Sequence, residues 1–116
     1  MTQDSRESLI ELLFLALYLD DHLSLAEDEV LTAALDNLGW DTTSPRELFI
    51  FQAFAKAREA ASDGLKTEDY LVSHAERIKR DNTASPAITW LYKVLGADGI
   101  SSSEERFLKK LEKLLF

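Results

Sequence analysis

Apolar positions in this chain recur at helical spacings, and no stretch alternates with the period of two that marks a half-buried strand. Caps, glycines and prolines set off six helical segments. The first runs from about Ser5 to Asp20. It is apolar nearly all round, with only Glu11 interrupting Leu9 through Leu19, so it is expected to be a central, well-buried helix. The second spans about Leu25 to Leu38. Ser24 with Glu27 three residues on forms a capping box at its start, and Gly39 is placed to end it. The third begins at Ser44, with Pro45 at the first helical position and Glu47 completing another capping box, and runs to Asp63 and Gly64. The fourth extends from near Thr67 to near Asp81. The fifth starts at Ser85 and Pro86 and ends at Gly96, and the sixth continues from the serine run Ser101 to Ser103 to the C-terminus.

The sixth segment has the clearest face. Phe107, Leu108, Leu111, Leu114 and Leu115 share one side, and Arg106, Lys109, Lys110 and Lys113 take the other. A basic amphipathic helix of this kind can lie on a membrane surface. In a domain this short it is expected instead to close the core, with cations near its C-terminus favoured by the helix dipole.

Composition narrows the function classes. At 116 residues and 46% hydrophobic, the chain reads as one globular domain over 1–116. With no Cys, disulfides, thiolate zinc sites and a cysteine nucleophile are excluded. The formal charge is −8, which argues against nucleic acid, whose phosphates call for a basic face. Residues 1–63 carry a net −9 and residues 64–116 a net +1, so an acidic region suited to cations or a basic partner is expected. The longest apolar run, Leu12 to Leu19, is far short of the about 20 residues that span a bilayer. The opening MTQDSRES lacks the basic start of a signal peptide. A cytoplasmic protein is expected, with peripheral membrane association left open.

Two stretches echo each other across the chain. LYLDDHLSLAEDEVL (17–31) and VLGADGISSSEERFL (94–108) align Asp21 with Asp98, Leu23 with Ile100, Ser24 with Ser101, Glu27 with Glu104 and Asp28 with Glu105. In each, an apolar helix ends in an acidic turn and the next helix opens on Ser followed by two acids. Capping accounts for Ser-x-x-Glu, but it does not require the Asp three residues before the cap in both copies. A weaker third version is SDGLKTEDYL, residues 62–71. If the first two bends pack together, they gather carboxylates that repel unless a cation or basic group offsets them.

Ala97-Asp98-Gly99-Ile100-Ser101-Ser102-Ser103-Glu104 is close to the ADG-x-hydrophobic-S-x-x-E signature, and Asp20-Asp21-His22-Leu23-Ser24-Leu25-Ala26-Glu27 looks like its first copy. In these motifs the chain resembles the TerB-like family, the tellurite-resistance-type helical domains of bacteria. His22 stands where the first copy usually has Gly. The resemblance implies a compact all-α fold with pseudo-symmetric halves, acidic residues for a divalent metal, and a role in stress response or as an adaptor near the membrane.

Other chemistry finds little footing. A twelve-residue calcium loop starting at Asp98 would put Ile100 at its third position and Lys109 at its last, without the inner ligands or the final Glu. Glu-x-x-His pairs, HExxH, GxSxG and a glycine-rich phosphate loop are absent. His74, beside Glu76, Arg77, Lys79 and Arg80, reads as a solvated surface residue. His22 reads as a solvated turn residue that could add a nitrogen ligand. Trp40, Trp90, Tyr18 and Tyr92 read as core or rim packing.

The expectation is therefore an all-α, compact single-domain bundle of about six helices with two pseudo-symmetric helix–turn–helix units. It is expected not to be an enzyme. Its acidic inter-helix turns would weakly bind a divalent cation (calcium, magnesium or manganese) through Asp20, Asp21, Glu27, Asp98, Glu104 and Glu105, or dock a protein partner. The alternative is a pure protein–protein interaction module with no metal site.

Overall fold

The computed structural model describes residues 2–20, 32–33, 35–40, 42–96 and 99–116, with the side chain of Asp20 excepted. Five helices account for most of them: α1 (Gln3–Asp20), α2 (Arg46–Ala61), α3 (Gly64–Arg80), α4 (Ala84–Leu95) and α5 (Ser102–Leu115). Residues 32–33 and 35–38 are helical as well, in the place of the expected second segment. No strand occurs among the described residues. The all-α reading holds.

α1 is the axle of the bundle. Leu9, Ile10, Leu12, Leu13, Phe14, Leu15, Ala16 and Leu17 are all buried, on every side of the helix, because the other helices pack round it. α2 meets it through small residues, Ala53, Ala57 and Ala60, so the two backbones can approach closely. Phe14 of α1 stacks on Phe54 of α2 at a centroid distance of 3.9 Å. α3 adds Leu71, Ala75 and Ile78, and α4 adds Ala87, Leu91, Val94 and Leu95. The amphipathic face of α5 closes the core with Phe107, Leu108, Leu111 and Leu115, as its pattern implied. The described helices share one core, and the radius of gyration, 13.0 Å, is that of a compact domain of this length. No described helix is long and apolar enough to cross a membrane.

The helix ends depart from expectation in places. The Ser101–Glu104 capping box forms, with N···O distances of 3.1 and 3.0 Å. Gly39 follows its helix with φ +86°, a left-handed position suited to glycine, and the Arg6 guanidinium packs against it and donates from Nε to the Leu38 carbonyl. The Ser44–Glu47 box does not form. Pro45 itself is the N-cap of α2, and the Ser44 carbonyl accepts instead from the Trp40 indole at 2.7 Å. α3 starts at Gly64 rather than near Thr67, because the Asp63 side chain caps it by accepting from the Leu65 N–H at 3.1 Å. The Ser24–Glu27 box lies outside the described residues, as do the first acidic bend beyond Asp20 and Asp98 of the second.

Candidate functional site

Ser5, Ser8 and Glu11 follow one another at three-residue intervals on α1, so they lie near one side of it. Since α1 is surrounded, that polar strip points into the protein: Ser5 and Ser8 are fully buried and Glu11 nearly so. Each must then find a partner inside. Ser5 Oγ donates to Asp81 Oδ2 at 2.7 Å and lies 3.0 Å from Thr83 Oγ1. Thr2 also donates to the Asp81 carboxylate. These hydroxyls, Thr2 first and Ser5 second, hold the Asp81 carboxyl below its ordinary pKa. The strip thus ties the start of α1 to the turn between α3 and α4.

Further along, the partner is His74 of α3. Its Nδ1 is 3.1 Å from Ser8 Oγ and its Nε2 is 2.7 Å from Glu11 Oε2. An ionised carboxylate only accepts, so Nε2 carries a proton; in the neutral ring Nδ1 then accepts from the Ser8 hydroxyl. His74 is therefore no solvated surface residue. Its neighbours in sequence are charged, but its neighbours on the helix surface are Leu71, Ala75 and Ile78, and all four are buried on one stripe.

Glu11 gathers two more groups. Lys56 of α2 brings its Nζ to 3.8 Å from Oε1, a charge contact too long for a hydrogen bond. The buried Tyr70 hydroxyl lies near the same carboxylate without the geometry of a hydrogen bond. Burial first, and the Glu11 charge second, raise its pKa well above the ordinary tyrosine value. The Tyr70 ring meets His74 edge-on at 4.4 Å. Above these two rings, between α2 and α3, opens a cleft of about 410 Å³. Tyr70, His74 and Ala60 form its floor, and Lys56, Glu59, Lys66 and Asp69 form its rim. Lys66 and Glu59 pair across it at 3.5 Å. Asp69 has no ion pair among the described residues.

Ser8, His74 and Glu11 share the composition of a hydrolytic triad, but the Ser8 hydroxyl is sealed in the core, out of reach of a substrate. What the network does is hold one ring edge: Ser8 and Glu11 fix the imidazole from both nitrogens, and His74 in turn backs Tyr70. The result is a rigid aromatic floor above a buried carboxylate.

The carboxylates expected at the acidic turns fare differently. Asp20 is the last residue of α1, and its side chain lies outside the described residues, as do Asp21, Glu27 and Asp98. Glu104 is buried in the α5 capping box. Glu105 is exposed and pairs with Lys109 at 3.0 Å. Among the described residues no group of three or more metal-ligating side chains comes together. Ser8, Glu11, Tyr70 and His74 were not singled out from the sequence as site residues. The available signal is the three-residue interval from Ser5 through Ser8 to Glu11, which carries a polar strip on into the apolar run Leu9–Leu19.

No family model, no curated protein and no solved structure matches this chain.

Proposed function

We propose that the chain is a non-enzymatic interaction domain that takes a basic side chain of a protein partner, arginine above all, into the α2–α3 cleft. The observation that carries this reading is the Asp69 carboxylate beside a Tyr70–His74 floor that rests on buried Glu11. A guanidinium stacks on an aromatic ring and forks onto a carboxylate, and the cleft is lined by both a Tyr70 ring and an Asp69 carboxylate. The two rim lysines oppose a cation less than their number suggests, since Lys66 is matched by Glu59 and Lys56 leans toward Glu11. The chain's charge of −8 steers a basic partner inward and slows its escape to bulk solvent. The cleft is open and shallow in form, which suits a side chain presented on a protein surface better than a free metabolite.

The test is fluorescence anisotropy with short labelled peptides that differ at one position, Arg, Lys, Gln or Glu. Arg is expected to bind best and Glu worst, and Asp69→Asn or Tyr70→Ala is expected to weaken the Arg peptide about two- to fivefold, the loss of one surface charge pair or one cation–π contact. Equal binding of the Arg and Glu peptides would refute the reading.

A further inference from the structure

We infer that the outward face of α2 is a self-complementary surface through which two copies of this chain pair with their α2 helices antiparallel. The helix shows apolar residues on both sides. Ala53, Ala57 and Ala60 face the core, while Leu48 and Phe51 point away from it and are 55% and 76% exposed. With exposed Ala55 they follow the i, i+3, i+7 spacing of a single outer stripe. Leu48 stands in the first turn of α2, but Phe51 and Ala55 lie on the body of the helix, where a solvated surface ordinarily carries charge.

The flanking charges select the occupant. Glu47 and Arg58 lie on the same flank of the stripe, one at each end, three helical turns or about 16 Å apart. Neither makes an ion pair among the described residues. A two-fold axis passing between Gln52 and Ala53 carries each Glu47 onto the level of Arg58 in the second copy, twice over. The same operation leaves Leu48 about 3 Å along the axis from the level of the second copy's Ala55, and the two Phe51 positions about 4.5 Å apart astride the centre, within reach of each other's side chains. Glu59 and Lys56 lie toward the opposite flank, where they border the cleft, so this pairing leaves the cleft open and does not depend on the function proposed for it. A single helix face is smaller than the about 800 Å² per partner of a stable complex, so the dimer is weak and concentration-dependent.

Glu47 in the first turn and Arg58 in the last also suit the helix dipole within one chain, and the test separates the two roles. Sedimentation velocity on the full chain, from about 10 μM to about 1 mM, is expected to show a monomer shifting to a dimer. Phe51→Asp, and separately Phe51→Ser, should keep the chain monomeric throughout while the far-ultraviolet dichroism stays helical. Glu47→Arg sets arginine against Arg58 of the second copy and should weaken association about fivefold. Adding Arg58→Glu to Glu47→Arg should restore association, although both altered helices oppose the dipole and melt slightly lower. A chain monomeric at every concentration, an association indifferent to Phe51→Asp, or a double variant no better than Glu47→Arg alone would each overturn the inference.

Discussion

α1 and α2 lie side by side and invert the usual sorting of side chains in opposite ways. α1 carries Ser5, Ser8 and Glu11 into the interior, whereas α2 carries Leu48 and Phe51 out to solvent. The difference between the two is whether the misplaced groups have partners. Every polar group of the α1 strip is answered: Ser5 by Asp81, Ser8 by His74, and Glu11 by His74 with Lys56 nearby. The α2 stripe meets no described residue that covers it. A buried polar group without a partner costs folding free energy directly, so the α1 strip must be completed within the chain. An exposed apolar group costs the fold little, and its stabilisation is left for a second molecule to supply.

That contrast can be broken from either side. The largest effect is expected at Glu11. Glu11→Ala removes the anion that holds His74 Nε2 and leaves space in the core, and it should destabilise by about 3–5 kcal/mol in urea denaturation. A loss under about 1 kcal/mol would mean that the pair is better hydrated than its burial suggests. Ser8→Ala leaves His74 Nδ1 without its buried partner and should cost about 1–3 kcal/mol. Asp81 supplies a smaller, pH-dependent effect. Its carboxyl titrates lower in the fold than in the unfolded chain, so its contribution is present at neutral pH and above the unfolded value of 3.8, and it fades as the pH falls through the depressed folded value. Melting curves taken downward from pH 5 should therefore slope less for Ser5→Ala than for the parent chain. The smallest effect belongs to α2: measured at low protein concentration, Phe51→Ser should change stability by no more than about 0.5 kcal/mol. A loss as large as that of Ser8→Ala would show Phe51 to be part of the core after all.

Much of the fold was legible because its signals are local. The unbroken apolar run of α1, the stripe on α5, the Ser101–Glu104 box and the glycine after Leu38 each involve residues within a turn or two of one another. Errors arose where two local signals compete. Ser44 with Glu47 has the spacing of a capping box, but Pro45 takes the N-cap position and Trp40 engages the Ser44 carbonyl. Asp63 and Gly64 end the third segment in the sequence pattern, and the same Asp63 caps α3 and starts it a turn early. The linear neighbours of His74, Glu76 and Arg77, suggest a solvated residue, whereas the helical lattice sets it beside Leu71 and Ile78. The site itself was hidden for another reason. Ser8 and His74 are 66 residues apart, and nothing short of the packing of α1 on α3 announces that they meet. Of the acidic-turn residues, Glu104 and Glu105 have local partners, which the capping pattern had already foreshadowed for Glu104.

The alanines of α2 carry a last consequence, for mutational drift. Ala53 and Ala57 have no exposed surface, and their methyl groups set how closely α2 can lie on α1. A valine or leucine there acts as a wedge, at a cost of about 1–3 kcal/mol, and tilts away the helix that walls the cleft. The opposite side of the same helix bears no such burden. Variation on the exposed side of α2 thus remodels what the domain shows to its surroundings without disturbing the fold, so long as the three alanines stay small and Phe54 keeps its place on Phe14.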